Sequence, residues 1–191
     1  MIRVYRIPFS TNVERIALAA AHKGVEIEWV DVDADDRSPV RAVSGQDLVP
    51  VMEADGEVLW DSPRILAWLE ERHPEPPLLP SGPAERALVR LWFERFDELS
   101  RPYYRVLFEG ETPEALDAEL TKLDAALDAS PYLAGSQFSQ ADIAYVPWII
   151  RAEGRAGVDL GRHENLRGWL ARLTKRRSIA AEQKVAVTIA T

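Results

Sequence analysis

Polar and apolar residues first alternate and then fall into helical spacing, and this switch recurs through the first part of the chain. Ile2-Arg3-Val4-Tyr5-Arg6-Ile7 alternates as a short strand does. Pro8-Phe9-Ser10-Thr11-Asn12 reads as a turn, after which Val13, Ile16, Ala17 and Ala20 stand at i, i+3, i+4 and i+7 of a helix. Gly24 ends it, because glycine accepts the left-handed cap conformation. Glu26–Val32 alternates again, so strand, helix and strand predict a parallel, right-handed βαβ unit. Asp33–Asp47 is polar and broken by Pro39 and Gly45, leaving room for a short helix at most. Val49–Glu53 and Glu57–Trp60 flank Asp55-Gly56, the signature of a hairpin. Ser62-Pro63 predicts an N-cap with proline at the first helical position, and Ile65, Leu66, Trp68 and Leu69 form that helix's apolar face.

The pattern then changes. Residues 73–83 carry five prolines and read as a stiff linker. The expected organisation is a small α/β domain over 1–76, a connection at 77–82 and an all-helical domain over 83–191. In the second part Leu88, Leu91, Trp92, Phe96 and Leu99 read as one stripe, disturbed near Pro102. Leu116, Leu120, Leu123 and Leu127 form another, and Leu166, Trp169, Leu170 and Leu173 a third. Ser139-Gln140-Ala141-Asp142 has the form of a capping box, with Phe138 and Ile143 placed as a hydrophobic staple. Residues 185–191 receive no assignment.

Composition narrows the function. The 191 residues carry 31 acidic against 23 basic side chains, a formal charge of −8. Such a surface repels phosphate backbones and anionic lipid, so neither nucleic acid nor a membrane is expected as a partner. No apolar run approaches the roughly 18 residues of a membrane span. Met1–Tyr5 enters a strand directly, without the regions of a secretory leader, so a cytoplasmic location is expected. There is no cysteine, which removes every mechanism in which the protein supplies a thiol. If thiol chemistry happens, a ligand brings the sulfur. His22, His73 and His163 lack metal spacing, and Asp31, Asp33, Asp35 and Asp36 lack the glycine and glutamate of a calcium loop, so no metal is expected.

Four fragments, in order, resemble the cytosolic glutathione transferase family. They are Pro8-Phe9-Ser10 before Arg15 and Gly24, Ser44–Val51, Val58-Leu59-Trp60-Asp61-Ser62 before Ile65, and Tyr132-Leu133-Ala134-Gly135 through Ser139–Ala144. The resemblance implies a thioredoxin-like N-terminal domain followed by a helical one. It also implies glutathione as co-substrate, a hydrophobic electrophile as second substrate, and a homodimer. Trp68, Trp92 and Phe96 are apolar side chains that would serve its interface, with core burial the plain alternative.

What the resemblance assigns to each residue stands beside a simpler reading. Pro50, after Val49, stands where the family has a cis-proline that turns the Val49 backbone toward an extended peptide; alone, it would be a trans proline opening a strand. Gln46 belongs to the same glutathione-binding loop. Asp61 and Ser62 match the two charges of the γ-glutamyl end of glutathione; alone, Ser62 is a cap. Ser10, at the start of the first helix, is the serine-type candidate for stabilising the glutathione thiolate, and Thr11, Asn12 or a backbone donor remain alternatives. Tyr5 lies inside a strand, where core packing is expected. Arg15 falls one position beyond the arginine of a serine-type motif. Phe9, Tyr103, Tyr104 and Leu107 are the acceptor-pocket candidates, and Asp97 a candidate for a partner subunit's glutathione. Missing cysteine excludes the branches that form mixed disulfides. A glutathione-dependent isomerase and a non-catalytic binding protein share the fold and stay open.

Overall fold

The computed structural model describes residues 1–180. The chain divides into two compact units, Met1–Leu78 and the part from Leu79 onward. In the first, β1 (Ile2–Arg6), α1 (Thr11–Lys23) and β2 (Glu28–Asp31) are followed by a short α2 (Ser38–Ser44), the hairpin β3 (Val51–Ala54) and β4 (Glu57–Trp60), and α3 (Ser62–Arg72). The sheet order is β2-β1-β3-β4, with β1 parallel to β2 and antiparallel to β3, and β4 antiparallel to β3. β2 is shorter than its alternation suggests. It pairs only from Arg3–Glu28 to Arg6–Asp31, the last pair falling at the end of β1.

Alternation across β1 and β3 divides the interior. Tyr5 and Val51 meet Val32, and Val40 of α2, in one apolar cluster. Val4 and Met52, of opposite parity, are fully buried on the other face; α1 and α3 pack on each other, and Ile16, Ile65 and Leu69 of these helices are fully buried. The Lys23 side chain turns inward at the end of α1. Its Nζ lies 2.7 Å from Glu70 Oε2 and donates to the carbonyls of His73 and Pro76, at 2.7 and 3.0 Å, so its three donors are all used. Gly24 caps α1 in the left-handed region at φ 66°, as expected.

The second unit is helical: α4 (Pro83–Glu94), α5 (Phe96–Tyr104), a π turn (Arg105–Glu109), α6 (Glu114–Ala126), α7 (Gln140–Ala156), a 3₁₀ turn (Leu160–Arg162) and α8 (Glu164–Leu173). The stripe expected from Leu88 to Leu99 does not run through one helix. A break at Arg95 (φ −85°, ψ −2°) separates α4 from α5, and within α4 Val89 and Trp92 are buried while Leu88 and Leu91 stay about 40% exposed. α7 is buried along most of its length and forms the centre of this unit.

Asp142 organises that centre. Its carboxylate is fully buried and accepts from Ser139 N at 2.9 Å, Ser139 Oγ at 3.2 Å, Leu133 N at 3.0 Å and Trp169 Nε1 at 2.8 Å. The capping box is therefore present, but the same group also fixes the 133 loop and α8. Burial pushes the Asp142 carboxyl above the ordinary range, against four donors that pull the other way. Asp142→Ala leaves several buried donors without an acceptor, so it should cost about 3 kcal/mol or more in urea unfolding. Asp142→Asn, keeping one acceptor oxygen, should lose clearly less. A loss of only about 1 kcal/mol in the alanine variant would reduce the residue to a helix cap.

Candidate active site

Two helix starts hold several of the candidate residues named from the sequence. Before α1, the chain turns at Ile7-Pro8-Phe9-Ser10, closed by the Ser10 N–H donating to the Ile7 carbonyl at 3.2 Å. Proline and then a residue at φ 74° is the pattern of a type II turn, where glycine is the usual second residue. Phe9 occupies that corner, at a backbone cost of about 1–2 kcal/mol. Ser10 then sits at the N-cap with extended φ and ψ, and its carbonyl accepts from Glu14 N at 3.0 Å. Its hydroxyl makes no cap bond, which leaves it uncommitted beside the first-turn N–H groups of α1. Thr11 and Asn12 are the first helical residues, both part-exposed.

Before α3 the cap is Asp61, not Ser62 as the sequence suggests. Ile65 N donates to the Asp61 carbonyl at 3.2 Å, so helical bonding starts one residue earlier. Asp61 holds φ 79° and ψ 123°, outside the left-handed basin that aspartate tolerates, and its side chain is exposed with no cap bond. Ser62 is the first helical residue and is buried. Its Oγ accepts from Arg15 Nη1 at 3.2 Å, and the Arg15 side chain is buried as well. A guanidinium has no acceptor, so this bond fixes the Ser62 oxygen as receiver and leaves its proton to be given elsewhere.

The third piece is the loop before β3. Gly45 turns it at φ 74°, and both ends of the Gln46 amide bond to Leu48: Nε2 donates to the Leu48 carbonyl and Oε1 accepts from Leu48 N, each at 2.8 Å. Arg41 and Asp47 form an ion pair across its outside. Val49-Pro50 is a cis peptide, and Val49 lies just ahead of the strand pairing that begins at Val51.

Tyr5 is placed differently. It is buried in the α2-side cluster, its hydroxyl donating to Glu53 Oε2 at 3.0 Å. Burial and then Glu53 hold the phenol above its usual pKa. In the second unit Tyr103 is also buried, its ring packed edge-on against Trp148 at 5.0 Å. Tyr104 is exposed and stacks with Phe108 at 5.8 Å, and Leu107 is half-buried in the π turn after Pro102. Asp97 is exposed and paired with Arg101 at 2.8 Å. Among the described residues no group of three or more histidine, aspartate or glutamate side chains could hold a metal.

The Arg15–Ser62 contact and the Gln46 brace are the site features that motif spacing misses. Arg15 carried a signal, since it stands on the face of α1 that Lys23 shares eight residues on, inside an apolar stripe.

Comparison with known proteins decides the family. Residues 4–77 match the model described as "Glutathione S-transferase, N-terminal domain", and residues 111–172 the model described as "Glutathione S-transferase, C-terminal domain". The chain belongs to the glutathione S-transferase family. It is 28% identical over 189 residues to glutathione S-transferase D7 of Drosophila melanogaster, covering 90% of this chain and 84% of that one. It is 33% identical over 144 residues to a probable glutathione S-transferase of Nicotiana tabacum, covering 72% of this chain and 63% of the relative. A solved glutathione S-transferase from Rhodospirillum rubrum superposes with a TM-score of 0.80 at 28% identity, covering 94% and 90% of the two chains. The first unit is accordingly a thioredoxin-like domain followed by the family's helical domain, and the activity class is transferase.

In this glutathione S-transferase Arg15 and Ser62 should behave as one unit. Arg15→Met and Ser62→Ala should each lower stability, by about 1.5–3 kcal/mol for the arginine, and a double-mutant cycle should return a coupling of about 1 kcal/mol or more. Strict additivity would show that the two side chains act independently.

Proposed function

We propose that the protein binds glutathione along Val49 and the start of α3, holds its sulfur as thiolate at Ser10, and transfers it to a hydrophobic electrophile. The observation that carries this reading is the uncommitted Ser10 hydroxyl at a helix N-terminus. A thiol with pKa near ~8.5 is only a few per cent ionised at neutral pH. A hydroxyl donor and the positive end of α1 both favour the anion over the neutral thiol. In the transfer the thiol gives its proton to solvent, the sulfur forms a bond to the electrophilic carbon, and the leaving group departs with its electron pair. The protein's part is positioning and charge stabilisation.

The other end of glutathione carries an ammonium and a carboxylate on one carbon. Exposed Asp61 suits the ammonium. Ser62, whose proton Arg15 leaves free to be donated, and the unpaired N–H groups of α3 suit the carboxylate. Gln46 serves this site through the loop it braces, which presents Val49 and Pro50. Tyr5 is a poor thiol activator, since its hydroxyl is already given to Glu53.

Ser10→Ala should lower turnover about ten- to a hundred-fold, the loss of a hydrogen bond to a charged group, with little change in glutathione half-saturation. Removing the donor raises the bound thiol's pKa, so activity should recover as pH rises and the thiol ionises unaided. Titration of thiolate absorbance in Ser10→Ala, Thr11→Ala, Asn12→Ala and Tyr5→Phe identifies the donor. A shift in Thr11→Ala or Asn12→Ala alone moves the role to that residue, and no shift in any of them points to backbone donors or to a protein without turnover.

We also propose a cytoplasmic homodimer. Trp68 and Trp92 are buried within the chain's own core, so the support comes from Leu88 and Leu91, which α4 leaves exposed. Sedimentation at micromolar concentration should give twice the 21.5 kDa chain mass; a 21.5 kDa particle would rule the dimer out.

A further inference from the structure

Charge is unevenly spread along the chain. Residues 1–150 carry 27 acidic against 14 basic side chains, yet from Asn165 to Ala180 there are five basic residues and no acidic one. That stretch is most of α8 and the turn after it. Two of its cations are used within the fold. Arg172 donates to the Pro131 carbonyl at 3.0 and 3.2 Å, and Arg176 lies over the Phe138 ring, 4.1 Å from its centre. Arg167, Lys175 and Arg177 are exposed, and no carboxylate pairs with them among the described residues.

Arg167 also lines an open groove of about 600 Å³ bounded by the end of α7, the 3₁₀ turn and α8. Leu160, Leu170 and Ala171 give it apolar lining, and Thr174, which lines it too, directly precedes Lys175. Its two carboxylates are occupied within the chain. Glu153 Oε1 accepts from Leu160 N at 3.2 Å, and Glu164 stands in the first turn of α8, where negative charge suits the dipole. Gly168, in the middle of α8, is exposed on the same groove. A Cβ there meets no atom of the described residues within 4 Å, so nothing in their packing calls for a residue that weakens a helix. Its absence of a side chain leaves the groove open.

We propose that this groove docks an acidic segment of another protein, its carboxylates meeting Arg167, Lys175 and Arg177 and one of its apolar side chains entering beside Leu160 and Leu170. Charge complementarity selects that occupant. A nucleic acid duplex or an anionic bilayer extends well beyond a screening length and is repelled by the acidic remainder of the chain, whereas a short acidic segment meets the basic stretch alone. Neither of those surfaces offers a single apolar side chain to the groove. The docking site stands apart from the glutathione reading, and conjugation is no part of its readout.

The test titrates the full chain into a fluorescein-labelled synthetic peptide of repeated Glu-Leu-Glu-Glu and follows anisotropy at low ionic strength. The peptide should bind, and more weakly as salt passes about 0.15 M, where charges act over only about 8 Å. Arg167→Glu combined with Lys175→Glu should weaken binding about ten-fold or more, by setting like charges opposite one another. Gly168→Leu fills the groove from α8 itself and should weaken binding about ten-fold. Its melting temperature should be unchanged or higher, because leucine favours a helix more than glycine does. Gly168→Ala, which adds little bulk, should bind within about two-fold of the wild type. Failure of the wild-type chain to bind the peptide would overturn the proposal outright. Equal binding of a peptide with glutamine for every glutamate would overturn the role of charge, and unchanged affinity in Gly168→Leu would overturn the groove. A clear fall in melting temperature in Gly168→Leu would assign that space to the chain's own packing. Tighter binding of duplex DNA or of phosphatidylserine vesicles, lost in the charge-reversed variant, would give the surface to that class of partner instead.

Discussion

Two cations sunk into one face of α1 set the geometry on which the first unit depends. Arg15 reaches the start of α3 at Ser62, and Lys23 reaches its far end at Glu70. The two cations are eight residues apart, and so are their partners. Equal spacing, about 12 Å along each axis, is satisfied only when the helices run parallel and in register. A slip of one turn would strand both charges away from water with nothing opposite, which is far more costly than losing an exposed pair. Burial of apolar side chains such as Ile16, Ile65 and Leu69 is non-directional, so by itself it tolerates sliding. The buried cations supply direction and register. As a result the N-terminal ends of α1 and α3, with Ser10 and Ser62, lie at the same end of the domain, where two positive dipole ends accumulate.

The helical unit meets the same difficulty with the opposite charge. One carboxylate, Asp142, receives a loop N–H, a cap N–H, a hydroxyl and an indole N–H from separate stretches of chain. Where α1 sends donors outward to acceptors, α7 sets one acceptor at its start and draws donors in. Both arrangements turn an energetic liability into a statement of position. Neither would stabilise the fold if its partners were displaced by an ångström or two.

Much of the architecture is legible from periodicity, because strand alternation and helix stripes arise from burial on one face. The order of β1, α1, β2, β3, β4 and α3 follows from that pattern with the turn residues Gly24, Asp55-Gly56 and Pro63. Errors occur where local signals compete. The Ser-Pro pair marks the start of α3, yet the chain reaches that point through an unusual Asp61 conformation, and φ is not written in residue type. The stripe from Leu88 to Leu99 looked continuous because a single break at Arg95 leaves no glycine or proline as a sign. Candidate site residues were nameable by type and position. Their hydrogen-bond partners were not, because Arg15 and Ser62 meet only after 47 residues of chain have folded between them.

The loop closed by Gln46 on Leu48 has a consequence for the thermodynamics of recognition. Its two amide bonds, with Gly45 on one side and Pro50 on the other, hold the segment in its shape through contacts of its own. A flexible peptide lying along Val49, as proposed, would meet a loop already tied to itself, so more of the freedom lost on association would be the ligand's own than the protein's. Discrimination would then fall to whichever ligand is already bent to shape, and a stiffer analogue that keeps the same contacting groups would gain affinity without a single added contact.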